Sequence, residues 1–350
     1  MALHILVKFQ CIALLLWLQL ATSEGSREII KTGCPEKCGN VSIPYPFGIG
    51  DGCFIEKSFE ITCNDGLLDS PKPMSGMFNI SDISVLEGQM TIEASIARDC
   101  SDPELPSIFL EGHLEKFTFS STKNKFIVIG CDTLTYIGQP GNVSIGTGCL
   151  SICNKIEDAR NGSCNGVGCC ESFVPPGLAT LEAIVGSVNS HRLELSFNPC
   201  SYAFVVEESS FNFSSSYLNN FKNYGTEIVP VVVDWTVGNE TCAEAEGNLT
   251  SYACGQNAKC IDRGNVSLGY NCICKEGYAG NPYLQSSTSG GCQDINECDK
   301  VCTMNGNCVN TEGNYTCSCN DGYHFNQTIL DCSLDESKSF SQSTVYKIVI

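Results

Sequence analysis

The sequence predicts a mainly β, disulfide-rich protein, with an N-terminal cysteine-rich β domain followed by two small six-cysteine modules. Three observations lead there. The 350 residues include 25 cysteines. Apart from Cys11 they fall into groups: twelve between Cys34 and Cys200, then six from Cys242 to Cys292 and six from Cys298 to Cys332. The apolar residues of the first region alternate with a period of two or form short continuous runs, which is strand patterning rather than helical patterning.

The leader sets the compartment. Met1 to Lys8 is a short basic start, Phe9 to Leu20 is apolar, and Ala21-Thr22-Ser23 is a small-residue cleavage site. Residues 1–23 read as a secretory signal peptide, because the apolar run is too short to span a bilayer comfortably. Cys11 leaves with it. The remaining 24 cysteines are even in number and expected to be oxidised, so disulfides displace the zinc reading of Cys272-x-Cys274, Cys317-x-Cys319 and Cys169-Cys170. Asn-X-Ser/Thr sequons at Asn40, Asn79, Asn142, Asn161, Asn212, Asn239, Asn248, Asn265, Asn314 and Asn326 predict a glycosylated, solvated surface.

Net charge is −19, which argues against nucleic acid and anionic lipid as partners. The opening segment differs. From Arg27 to Lys57, the cations Arg27, Lys31, Lys37 and Lys57 balance Glu28, Glu36, Asp51 and Glu56.

The β domain is expected over 24–208, followed by a connecting segment with an apolar strand over 209–238. Phe117/Phe119 and Phe126/Val128, around a polar Ser-Ser-Thr-Lys-Asn turn, read as a hairpin. Met90 to Ala97 and Arg192 to Phe197 alternate likewise. "CSYAFVVEE" and "IVPVVVDW" suit buried strands, and Leu178 to Ser187 fits helix or strand equally. The twelve cysteines of this region admit too many pairings to choose among.

The two six-cysteine sets, expected over 239–292 and 293–332, cannot hold a core unaided. Their spacings, C-x11-C-x5-C-x11-C-x-C-x17-C and C-x3-C-x5-C-x8-C-x-C-x12-C, with "CKEGYAG" and "CNDGYHF" after the C-x-C, resemble the epidermal-growth-factor-like (EGF-like) module. That resemblance implies the pairs Cys242–Cys260, Cys254–Cys272, Cys274–Cys292, Cys298–Cys308, Cys302–Cys317 and Cys319–Cys332. The first module is expected to be a spacer. The tail, 333–350, is too short in its apolar part to cross a membrane.

The second module carries Asp294, Asn296 and Glu297 in "DINEC", then Asn310 and Tyr315 in "CVNTEGNYTCSC". Calcium takes six to eight hard oxygen ligands in flexible geometry, and this set supplies two carboxylates and an amide. The pattern resembles the calcium-binding variety of the module. It implies side-chain ligands Asp294, Glu297 and Asn310, carbonyl ligands Ile295, Thr311 and Asn314, and β-hydroxylation at Asn310. Calcium is then expected to stiffen the joint after Cys292, with Tyr315 packing near Tyr278. In the first module Thr241 replaces the glutamate, so no comparable site is expected there.

"CPEKCGNVSIPYPFGI" with Cys53, "KNKFIVIGCDT", "GCC" with "VPPGL", "NPCSYAFVVEE", "GYNCICKEGYAGNPYL" and "GCQDINEC" together resemble the extracellular region of plant wall-associated receptor kinases. The resemblance implies a galacturonan-binding domain plus tandem EGF-like modules, in the cell wall, with pectin or oligogalacturonides as partner. The alternative is a protein-binding ectodomain or soluble decoy that recognises a receptor or peptide. The expectation is of a form without the membrane helix and kinase, extracellular, or at the plasma membrane if the natural chain continues past Ile350. Tyr45 and Phe47 could stack on sugar rings while Arg27, Lys31 and Lys37 meet carboxylates; calcium bridging to pectin is another route. Residue physics alone favours a packed start of the β domain for Ile43 to Phe47. No enzyme is expected: kinase motifs are absent, "GCLSIC" is no nucleophile elbow, and His113, His191 and His324 lack partner motifs.

Overall fold

The computed structural model describes residues 31–64, 71–101, 110–114, 116–139, 142–189, 196–221, 228–248, 250–263, 268–285 and 290–335. The leader, Arg27, His191, Asn265, most of the expected strand Arg192–Phe197 and the tail from 336 lie outside them. The chain forms two compact units. The larger comprises Ile30–Lys275 with Asn281–Cys292, and the smaller includes Glu276–Gly280 with Gln293–Ile350.

Among the described residues, the larger unit is built around three large antiparallel sheets, with two-stranded ladders of Lys37–Cys38 with Val41–Ser42 and Ala258–Asp262 with Tyr270–Cys274. One has six strands, in the order Thr62–Asn64, Lys72–Ser75, Phe78–Ser84, Gln89–Ser95, Ile228–Trp235, Phe117–Phe119. Alternation explains its buried face: Met90, Ile92 and Ala94 are buried, and Val231 stands opposite Ile92. The apolar run Ile228–Trp235, expected as part of a connector, sits inside this sheet. Pro230 is tolerated because only Gln89–Ser95 flanks the strand there; Phe117–Phe119 reaches only Val233–Trp235.

A second sheet has the order Cys169–Phe173, Asn124–Ile129, Cys200–Glu207, Ala97–Cys100. The expected hairpin around Ser120–Asn124 does not form, since Phe117–Phe119 and Asn124–Ile129 lie in different sheets. Asn124 explains the corner. Its buried amide donates to Ser120 O (2.9 Å) and Val232 O (2.6 Å) and accepts from Val232 N (2.9 Å), supplying ladder partners that a hairpin would otherwise provide.

The third sheet runs Asn142–Ile152, Asp132–Gln139, Thr180–Ser187, Leu110–His113. Leu178–Ser187 is therefore mostly strand. Its buried side carries the hydroxyl residues Thr133, Thr135 and Ser151, each at most 1% exposed. Thr133 pairs with Ser201 (2.5 Å) and Ser151 donates to Gly130 O (2.6 Å). Disulfides Cys34–Cys53, Cys38–Cys63, Cys100–Cys200, Cys131–Cys153, Cys149–Cys170 and Cys164–Cys169 staple the region.

The first six-cysteine module is joined by Cys242–Cys260, Cys254–Cys272 and Cys274–Cys292. It is not a spacer. Tyr270 bridges to Val237, and the fully buried Asn271 donates to Trp235 O (3.0 Å) and to the Tyr283 hydroxyl (3.2 Å). Cys272 N donates to the same hydroxyl at 2.9 Å, and the Tyr283 ring packs 5.7 Å from Trp235. Asn281 Nδ2 donates to Tyr45 O. Burial pushes the Tyr283 hydroxyl up to about 12.

In the smaller unit, the hairpins Gly306–Thr311/Asn314–Cys319 and Tyr323–Asn326/Asp331–Leu334 are held by Cys298–Cys308, Cys302–Cys317 and Cys319–Cys332. Tyr278–Ala279 pairs with Gln293–Asp294.

Candidate functional site

The two ligand segments of the second module meet. Asp294 ends the short ladder with Tyr278–Ala279, and Glu297 opens the 3-10 turn Glu297–Asp299. Asn310 and Thr311 close one hairpin strand opposite Tyr315 and Asn314. Asn310 Nδ2 donates to Asp294 Oδ2 at 2.7 Å, and Gly313 N donates to Asp294 Oδ1. Asp294 thus ties the "DINEC" segment to the hairpin turn. Thr311 Oγ1 donates to Asn314 O (2.8 Å), Asn314 Oδ1 accepts from Tyr315 N, and Ile295 N donates to Gly277 O.

Whether these residues fit a hard cation is tested by Glu297. Its Oε2 is buried and has no hydrogen-bond partner among the described residues. A buried carboxylate oxygen without a donor is costly, and a cation beside it would remove that cost. The donor set is all oxygen, with two carboxylates, as calcium requires. The Tyr278 hydroxyl is held above the usual phenol range, first by desolvation and then by the Glu312 and Asp294 carboxylates. The Tyr315 ring lies 6.4 Å from Phe325. The residue against Tyr278 is Gly313, where φ is +74° and a Cβ would sit 2.8 Å from the ring. The glycine in "TEGNY" was the available signal for that contact.

The opening segment divides. Ile43 and Phe47 are each 1% exposed. Phe47 packs against Phe59 (4.9 Å), edge-on to Trp235 (5.2 Å), and near Phe117 (6.3 Å). Phe47 is therefore corrected from a stacking surface to a core residue: four aromatic rings bury more apolar area together than any one gains on a sugar face. Tyr45 is only half-buried, and burial pushes its hydroxyl up. Lys31 Nζ lies 5.4 Å over its ring and donates to Gly52 O at 2.7 Å. Lys37 is exposed in the two-residue strand Lys37–Cys38. Nearby, Lys57 pairs with Glu60 and Lys116 with Glu56; among the described residues neither Lys31 nor Lys37 has a carboxylate partner.

His324 does have partners: Nδ1 lies 3.0 Å from Asp335 and Nε2 3.2 Å from Ser333, across a solvent-exposed hairpin. Sequon residues Asn40, Asn161, Asn212, Asn239, Asn248 and Asn314 are exposed, while Asn79 and Asn326 are half-buried. Asn79 Nδ2 donates to Glu93 at 3.0 Å. Among the described residues no helix is long and apolar enough to cross a membrane.

A disulfide-stapled β unit and an oxygen-rich EGF-like hairpin define a multi-module binding protein, and the comparisons agree. Residues 34–94 match the family described as wall-associated receptor kinase galacturonan-binding, and residues 294–332 match the calcium-binding EGF domain. Both are binding modules. Wall-associated receptor kinase 2 of Arabidopsis thaliana is 38% identical over 299 residues, covering 83% of this chain and 38% of that protein. Wall-associated receptor kinase 1 of the same plant is 37% identical over 333 residues, covering 89% and 42%, and wall-associated receptor kinase 5 is 36% identical over 319, covering 85% and 40%. The chain spans about two fifths of the length of these curated relatives. Its domain content fits the extracellular region of a wall-associated receptor kinase.

Proposed function

We propose that the chain is a wall-facing ectodomain that binds galacturonan and uses calcium to stiffen its second EGF-like module. The observation that carries the polysaccharide reading is the Lys31–Tyr45 pair, bordering the region matched to the galacturonan-binding family. An ammonium with no carboxylate partner among the described residues, beside a half-exposed ring, offers what a uronate residue needs, a cation for its carboxylate and a flat face for its ring. Lys37 adds a second charge with no carboxylate partner among the described residues. Asp294, Glu297 and Asn310 would hold calcium through their side chains, with the carbonyls of Ile295, Thr311 and Asn314. These residues bracket the Gln293–Glu297 segment, so their joint ligation would fix its backbone just after Cys292.

Binding of a defined oligogalacturonide to the secreted protein tests the first part. Reversing both charges (Lys31→Glu with Lys37→Glu) is expected to weaken binding by roughly tenfold or more and to reduce its salt dependence. Unchanged affinity would remove these lysines from the site. Calcium titration by calorimetry tests the second part; a dissociation constant of about 0.1–1 mM is expected, and Glu297→Gln should abolish the heat. Saturable calcium binding that survives in Glu297→Gln would place the ion elsewhere.

A further inference from the structure

The sheet of Asn142–Ile152, Asp132–Gln139 and Thr180–Ser187 is apolar on both faces. Ile137, Leu181 and Val185 are buried on the interior face beside the hydroxyl residues described above, and a second set of large apolar residues faces water. Leu134 is 55% exposed, Tyr136 43%, Leu150 46%, Ile152 50%, Ile184 52% and Val188 45%. They form one patch by register. Leu134 stands opposite Leu150, Tyr136 opposite Ile184, and Asp132 opposite Ile152, while Val188 N bonds to Asp132 O. Single exposed apolar side chains are ordinary, but a contiguous half-dozen on one face marks an interaction surface.

The surface is also shaped. A Cβ on Gly138 or Gly146 would sit 2.2 or 2.1 Å from the Tyr136 hydroxyl oxygen. The Tyr136 ring therefore lies flat over those two glycines. Gly148 and Gly186 keep the neighbouring rows low. Along the outward positions of Asp132–Gly138, Gly146–Ile152 and Glu182–Val188 there is no cation, no amide and no sequon. The only charges are Asp132 and Glu182, one toward each end. Asp132 is satisfied by neutral donors, the Ser187 hydroxyl and the Asn189 amides, so its charge is not neutralised.

We propose that this face docks an extended polypeptide segment, apolar at its centre and carrying Lys or Arg at its ends. The acidic ends of the patch supply the charge complementarity. A second copy fits less well: a two-fold, face-to-face pairing brings acidic ends against acidic ends, on a chain whose net charge is −19. A sugar chain fits less well because the apolar residues of the patch offer its hydroxyls only the Tyr136 hydroxyl, with a carboxylate toward each end.

The test uses the full secreted chain and two synthetic peptides that share an alternating Leu/Thr centre. One is flanked by lysines and the other by glutamates, and binding is read by fluorescence anisotropy. The lysine-flanked peptide is expected to bind, with its twin weaker by roughly tenfold or more. Leu134→Lys with Ile184→Lys should abolish binding. So should Leu150→Asn with Ile152→Thr, which creates a sequon around Ser151 and places a glycan on the face. Both pairs alter only solvent-exposed side chains, so an unchanged melting temperature is expected to show intact folding. Equal binding of the two peptides, or binding unaffected by both variant pairs, overturns the proposal. A concentration-dependent dimer that either pair dissolves would assign the face to a second copy. Oligogalacturonide binding lost in these variants would assign it to polysaccharide.

Discussion

Replacing Tyr283 by phenylalanine separates ring packing from hydrogen bonding at the point where the first EGF-like module meets the β unit. The ring and its contact with Trp235 at 5.7 Å are kept. What is lost is the hydroxyl that accepts from Cys272 N and from Asn271 Nδ2. Trp235 O keeps one of the two Asn271 amide hydrogens, so the other amide hydrogen and the Cys272 backbone N–H are left buried and unpaired. Each costs about 1–3 kcal/mol, and in a unit of this size each kcal/mol lowers the melting temperature by roughly 2–4 °C. The same variant has a pH signature. With its hydroxyl pushed from 10.0 to about 12 in the folded protein, Tyr283 stays protonated where the unfolded chain has already ionised. Its contribution is whole below pH ~10 and is lost as pH rises through ~12, about 3 kcal/mol for a shift of that size. Tyr283→Phe should therefore be less stable at neutral pH but lose less stability in alkali. Differential scanning calorimetry from pH 7 to 11.5 reads both effects. An unchanged melting temperature at pH 7 together with an unchanged alkaline slope would refute the reasoning, as would separate melting transitions for the β unit and the first module.

Phe47→Ala removes a ring that touches Phe59, Phe117 and Trp235, and should cost about 3–5 kcal/mol with sharply reduced secretion; a melting temperature within a degree or two of the parent would mean the ring is not core. Gly313→Ala places a methyl at φ +74° against the Tyr278 ring and should destabilise the smaller unit by about 1–3 kcal/mol, read as faster hydrogen exchange at Asn310–Tyr315. Asp331 accepts from Met304 N (3.0 Å), Thr303 Oγ1 (2.8 Å) and Cys332 N (2.8 Å), and the Met304 hydrogen bond, ahead of the others, holds its carboxyl below 3.8. Its contribution is present above pH ~4 and lost as pH falls through the lowered value. Exchange protection of the second module should therefore drop in acid, and Asp331→Asn should flatten that dependence.

The fold class was legible because cysteine spacing and two-residue alternation are local signals. What was not legible depends on distant partners. The Phe117/Phe119 and Phe126/Val128 pattern fits a hairpin and a sheet corner equally; only Asn124 bonding to Val232, 108 positions away, decides for the corner. Phe47 looks like a flat platform in a proline-rich segment, and its burial depends on Phe59, Phe117 and Trp235 converging from three parts of the chain. The first small module looks like a spacer because its attachment runs through Asn271 and Tyr283, neither of which belongs to its cysteine pattern. Conversely, Asp294 and Asn310 were legible as partners because disulfide spacing brings their segments together. The orphaned Glu297 oxygen needed coordinates.

The seam around Asn271 limits how this ectodomain could have been assembled. A repeat connected only by its two ends can be duplicated, deleted or traded by recombination, and its neighbours fold as before. Here, a crossover just beyond Trp235 would strip the indole of its tyrosine neighbour and leave a backbone carbonyl bare, so the incoming repeat would have to bring both partners with it. A swap of the first repeat alone therefore breaks that seam unless the replacement carries equivalents of Asn271 and Tyr283.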